Sequence, residues 1–242
     1  VLLHARVQSS MLLQAVVLPL GSNCLCLFDL DRTLTSKRGA TATCPGISVQ
    51  TSISMSSAAS RLRYTFCVDC FLGILTEGEG GGSESMTRSV VHQFLDRSPL
   101  LGFGGAWNGD RSSWSVLDTA SEPATSTTAS SAALTSRRKL SNPAVMYLDP
   151  GNKILAVGPI VELFRERIQV HIADSDVWFF DDQAVNIAPF SALNRYNARQ
   201  VSCASRDPFL PTGYCGATPE EIVRERGVHL CASPPPPPPP PP

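Results

Sequence analysis

The chain has 242 residues, 43% of them hydrophobic, which is enough apolar material to bury a core and sets an expectation of one principal domain. Its net charge is only -1, which excludes the basic field that holds nucleic acid through its phosphates, so no nucleic-acid partner is expected. Eight cysteines in this length fall short of a disulfide scaffold, and Cys24 and Cys26 sit inside an apolar run. They read as reduced thiols acting as small hydrophobes, which points to a reducing, cytoplasmic compartment.

Residues 1–21 form an apolar lead-in that begins without methionine. Leu12 to Leu20 resembles a short signal core, but no positive region follows Met11 and the stretch runs almost directly into the first core strand, which argues against cleavage. No run reaches the roughly 18 apolar residues of a membrane span, so no membrane partner is expected. Cys24 to Phe28 is a continuous apolar run ending at Asp29, the pattern of a buried parallel strand. Cys67-x-x-Cys70, without a partner pair or histidines at ligand spacing, is half of a tetrahedral site and reads as packing at a strand edge.

Phe71 to Leu75 predicts a second strand. The glycines from Gly78 to Gly82 lack a following Lys-Ser/Thr and read as a flexible turn rather than a phosphate cradle. A helix is predicted over Glu84–Asp96, with Met86, Val90, Val91, Phe94 and Leu95 on one face and Ser83 as its cap. Residues 98–141, glycine-rich and then Ser/Thr/Ala-rich, read as a low-complexity or poorly ordered insertion. A weak strand falls within it at Trp114 to Leu117.

Ala144 to Leu148 predicts another strand, and Ile160 to Ile168 a helix that Pro159 either opens or kinks. Val177 to Phe180 repeats the pattern of the first strand, ending at Asp181 and Asp182. A strand over Arg199–Cys203 follows, then a short helix announced by Thr218, Pro219 and Glu221 as cap, first-turn proline and returning acid. In residues 232–242 nine consecutive prolines predict a polyproline II rod of roughly 28 Å at about 3.1 Å per residue. Such a rod suits a polyproline-binding partner with an aromatic-lined groove.

The alternation of elements predicts an α/β fold over residues 22–231, a Rossmann-like three-layer sandwich with a mainly parallel sheet. Acids at the carboxyl ends of such strands meet at one edge of the sheet, where open α/β folds bind ligands. Two carboxylates about 5 Å apart repel by roughly 3 kcal/mol at an effective dielectric near 20, so a cation belongs among them. An all-oxygen set with few histidines points to Mg2+.

Phe28-Asp29-Leu30-Asp31-Arg32-Thr33-Leu34-Thr35, directly after an apolar strand, resembles the first motif of the haloacid dehalogenase superfamily, Asp-x-Asp-x-Thr. Asp181-Asp182 resembles its fourth. The resemblance covers about residues 22–225 and implies a magnesium-dependent phosphatase. Asp29 would be the nucleophile that forms an aspartyl-phosphate, and Asp31 the general acid and then base. Asp29, Asp31 through its main-chain carbonyl, Asp181 and Asp182 would hold the metal. The superfamily's lysine falls on Lys153, since Lys37 lies too close to the first motif and Lys139 sits in the Ser/Thr tract.

The phosphate-binding hydroxyl has two candidates. Thr119 follows the clearer element order, and Thr76 follows the better apolar run. Arg32 stands where many members of the superfamily carry glycine, and brings a bulky cation beside the site. No segment reads as a large cap domain. The substrate implied is a phosphorylated small molecule or an exposed phosphate on a macromolecule. The alternatives are phosphoryl transfer to an acceptor other than water, and a catalytically silent or truncated relative that binds partners through its proline tail.

Overall fold

Leu25–Phe28 (β1) is buried at every position, and an uninterrupted apolar run of this kind is stable only as a strand covered on both faces. In the computed structural model, which describes residues 23–38, 44, 53–78, 115–116 and 140–232, β1 lies at the centre of a seven-stranded sheet. The other strands are Phe71–Leu75 (β2), Ser115–Val116 (β3), Ala144–Met146 (β4), Val177–Asp181 (β5), Asn197–Gln200 (β6) and Val228–His229 (β7). Their order is β3-β4-β2-β1-β5-β6-β7, and every neighbouring pair is parallel. In register, Phe28 lies opposite Ile74 of β2 and Phe180 of β5, so these three strands end level with one another.

Side chains alternate across the sheet and build a core on each face. Cys24, Cys26 and Phe28 join Ala58, Ala59 and Ile222 on one side. Leu25 and Leu27 pack on the other with Ile160, Phe164, Ile187 and Phe190. Among the described residues the α-helices are Ser57–Ser60 (α1), Ile154–Ile168 (α2) and Ala184–Leu193 (α3). The fold is therefore the expected α/β class, a Rossmann-like parallel sheet. The predicted helix over 84–96, Thr119 and the polyproline tail lie outside the described residues.

Several boundaries differ from the sequence reading for identifiable reasons. α2 begins at Ile154, not Ile160, and contains Pro159 in its interior. A proline there forfeits one backbone bond near the helix start, while Ile154, Ala156 and Val157 are buried and hold the first turns down. β4 stops at Met146 because Tyr147 adopts φ 59. β6 lies earlier than Arg199–Cys203, and Ser202 at φ 58 prevents its continuation. Pro219–Glu221 is a single 3-10 turn with the capping box that Thr218 and Glu221 announce.

The cysteines require a correction. They are not free thiols but pair as Cys24–Cys70, Cys26–Cys67, Cys44–Cys215 and Cys203–Cys231. Alternation puts Cys24 and Cys26 on one face of β1, so each meets one cysteine of the turn before β2. The premise behind a reducing compartment is therefore gone. Among the described residues no helix is long and apolar enough to cross a membrane.

Candidate active site

The first described strand, β1, sits mid-sheet, with β2 on one side and β5 on the other, and such a reversal opens a crevice beyond the carboxyl ends. Asp29 is the first residue past β1, and its N–H donates to the Phe180 carbonyl at 2.8 Å. The chain then makes a wide turn over Leu30–Leu34, closed by the Thr35 N–H on the Leu30 carbonyl at 3.1 Å. Within it Asp31 is extended and Arg32 left-handed at φ 64, a conformation that glycine enters at least cost. Gly216, at φ +77, backs the turn so closely that an added Cβ would meet the Thr35 carbonyl oxygen at 2.5 Å.

Thr76 occupies the corresponding place after β2. It is buried, and its hydroxyl accepts from the Gly78 N–H at 3.2 Å. A Cβ placed on Gly78 would lie 3.7 Å from Asp31 Oδ2 and 3.8 Å from Thr76 Oγ1, so the two side chains flank the same small space. Of the two candidate hydroxyls, the described residues therefore bring Thr76 to this edge.

Lys153 precedes the first residue of α2, and its side chain is 1% exposed. Its Nζ donates to Asp29 Oδ1 at 2.5 Å and to Asp181 Oδ2 at 2.7 Å, with Glu77 Oε1 at 3.8 Å. Asp181 is otherwise fully engaged, through the Gln183 N–H on Oδ1 at 2.7 Å and Asn186 Nδ2 on Oδ2 at 3.0 Å. Asp182 differs. Its Oδ2 accepts from the Gly213 N–H, while its Oδ1 is buried and has no hydrogen-bond partner among the described residues.

Burial dominates the electrostatics. It raises the Asp29 carboxyl well above the ordinary range, against the pull of Lys153 and with the help of Asp181, Asp182 and Asp31. Burial, then Asp181, raises Asp182 to about 7. Asp31 is exposed on its outer side, yet its carboxyl is also raised, first by desolvation, with Lys153 and Arg32 opposing. Burial works against the charge of Lys153, but Asp29 and Asp181 outweigh it and hold its pKa above the ordinary value. The cation that the clustered acids demand is thus supplied in part by the chain itself.

It is not supplied in full. Carboxylate oxygens of Asp29, Asp181 and Asp182 lie within 4.8 Å of one another, and three acids share one ammonium. The orphaned Asp182 Oδ1 is a buried acceptor lacking a donor, which costs free energy unless a cation occupies it. An all-oxygen set of this kind fits a hard divalent ion such as Mg2+.

Comparison with known proteins finds no counterpart. No family model, no curated protein and no solved structure matches this chain. What the site does is therefore argued from its own geometry.

Arg32 does not crowd the acids as a free cation. Its guanidinium turns to Asp207 Oδ2 at 2.9 Å, to the Gly213 carbonyl at 3.2 Å and to Thr212 Oγ1. Sequence reasoning passed over Asn186 and Glu77. Asn186 Nδ2 donates to both Glu77 Oε1, at 2.9 Å, and Asp181, and its Oδ1 accepts from the Gly151 N–H at 2.8 Å. That amide ties together the segments carrying Thr76, Lys153 and Asp181. One available signal was spacing, since Asn186 falls four residues after Asp182, one helical turn on at the start of a helix.

Proposed function

We propose that the chain is a magnesium-dependent phosphatase of the haloacid dehalogenase type, acting through an aspartyl-phosphate on Asp29. The observation that carries this reading is the meeting of Asp29, Asp181 and Asp182 around Lys153 at the carboxyl ends of β1 and β5, with Asp182 Oδ1 left without a partner among the described residues.

In the first step an Asp29 carboxylate oxygen attacks phosphorus, the new P–O bond forms, and the ester P–O bond breaks. Asp31, with its raised pKa, is suited to give a proton to the departing alkoxide. In the second step Asp31, now ionised, takes a proton from water as that water attacks phosphorus, releasing orthophosphate and restoring Asp29. Lys153 opposes the burial that raises the Asp29 carboxyl and offers its remaining proton to a phosphoryl oxygen, and Thr76 offers its hydroxyl to another.

Asp29, the Asp31 carbonyl, Asp182 and Asp181 would hold Mg2+, which supplies charge neutralisation for the incoming phosphate. The substrate class is a phosphate monoester, on a small molecule or exposed on a macromolecule. Transfer to an acceptor other than water would use the same groups.

Turnover of an aryl phosphate tests this. The native chain is expected to hydrolyse it with Mg2+ and to lose activity with chelator, and Asp29→Asn is expected to lose at least about 1000-fold, as removal of a covalent nucleophile does. Full activity in Asp29→Asn would remove the proposed nucleophile, and an inactive but folded native chain would favour the silent relative.

A further inference from the structure

Lys153 offers three N–H donors, and two are committed to Asp29 and Asp181. Among the described residues, one further acid lies within ion-pair range of the ammonium. It is Glu77, whose Oε1 stands 3.8 Å from Nζ. The same oxygen accepts from Asn186 Nδ2 at 2.9 Å. A cation and an N–H donor aimed at one oxygen, directly after the Thr76 hydroxyl, are the surroundings that suit an oxyanion.

Glu77 also differs from its neighbours in freedom. Its side chain is 31% exposed, against 5% for Asp29 and 0% for Asp181. Asp29 and Asp181 are sealed in place, whereas the Glu77 carboxylate is already part-exposed and gives up one hydrogen bond, to Asn186, when it turns to water.

We propose that Glu77 holds the phosphate position beside Lys153 while the site is free of substrate, and swings out to solvent when an oxyanion enters. Glu77 is then an internal competitor that keeps Lys153 from facing an empty position and sets how tightly phosphate binds. It is not a catalytic residue. The inference rests on reading Thr76 and Lys153 as the phosphate-binding groups.

Calorimetric titration of orthophosphate into the full chain with Mg2+ tests it. Glu77→Gln keeps an oxygen for Asn186 and loses the charge, while Glu77→Ala loses both. Removal of one nearby unit charge is expected to tighten phosphate binding about tenfold in both variants, with KM for an aryl phosphate falling and kcat not rising in proportion. Unchanged or weaker binding in Glu77→Gln overturns the proposal, as does a failure of phosphate to bind any of the three proteins.

The two readings fail separately. Tighter phosphate binding in Glu77→Gln with no turnover by the native chain would sink the phosphatase and leave Glu77 as stated. Turnover that depends on Asp29, with phosphate affinity unmoved by Glu77→Gln, would do the reverse.

Discussion

Asp182 is the residue whose state most depends on what else occupies the site. In the folded chain without metal its carboxyl is held at about 7, against an ordinary 3.8, by burial and then by Asp181. Between about pH 4 and about 7 the folded form therefore keeps a proton that the unfolded form has released, so this group makes stability fall as pH rises through that window. Above pH 7 both forms are ionised and the loss is complete. A cation at Oδ1 favours the ionised carboxylate, lowers the pKa and flattens the slope. Thermal melts from pH 4 to 8 are expected to show the decline without Mg2+ and a shallower one with it. In Asp182→Asn this contribution disappears and Mg2+ changes Tm less. A metal-independent profile identical in both proteins would contradict this account of the orphaned oxygen.

At the scale of elements, the loop Ser202–Cys215 does more than join β6 to the last 3-10 turn. Its Asp207 accepts from Arg32 at 2.9 Å and pairs with Lys37 at 2.7 Å. Lys37, the Phe209 N–H and Arg32 hold that carboxyl down at about 2. Arg206 donates to the Asp182 carbonyl at 2.7 Å. Gly213 has no room for a side chain, because a Cβ there would meet Ser202 Oγ at 2.6 Å and the Arg32 carbonyl oxygen at 2.9 Å. Gly213→Ala must therefore shift the loop and draw its N–H off Asp182. The expected cost is about 1–3 kcal/mol by urea unfolding, with weakened Mg2+ affinity by calorimetry. Native-like values for both would show that the loop does not position Asp182.

This loop also marks where legibility in the sequence ends. β1 and β5 were readable because burial on both faces leaves a continuous apolar run, and because each run stops at an acid. Lys153 was reached through the resemblance and the scarcity of lysine. The partnership of Arg32 with Asp207 spans 175 positions with no periodicity to betray it, and Gly213 acts through a backbone N–H that any residue type carries. The first turns of α2 were hidden by Pro159, which reads as a helix start although the tertiary burial of Ile154 and Val157 overrides it. The disulfides were hidden because Cys26 lies in a strand and Cys24 just before it, within one apolar run where a bonded and a free cysteine look alike.

For the molecule as a whole, Cys44–Cys215 closes the longest loop, a separation of 171 residues. The other three bridges span 46, 41 and 28. Chain-entropy reasoning assigns the largest stabilisation to the longest loop. Replacing Cys44 and Cys215 together by serine is expected to cost about 2–5 kcal/mol in urea unfolding, more than serine replacement of Cys203 and Cys231. The reverse ranking would show that local packing, not loop length, sets their worth.

The same bridge decides how the protein survives a cut. Asp29 and Thr76 lie on one side of residues 79–139, and Lys153, Asp181 and Asp182 lie on the other. Cys24–Cys70 and Cys26–Cys67 staple only the first part, and Cys203–Cys231 only the second. A protease that severed the backbone once between positions 79 and 139 would leave two fragments, one carrying Asp29 and the other Asp181 and Asp182. Cys44–Cys215 would still tether them, and a thiol reagent would be needed to set them adrift.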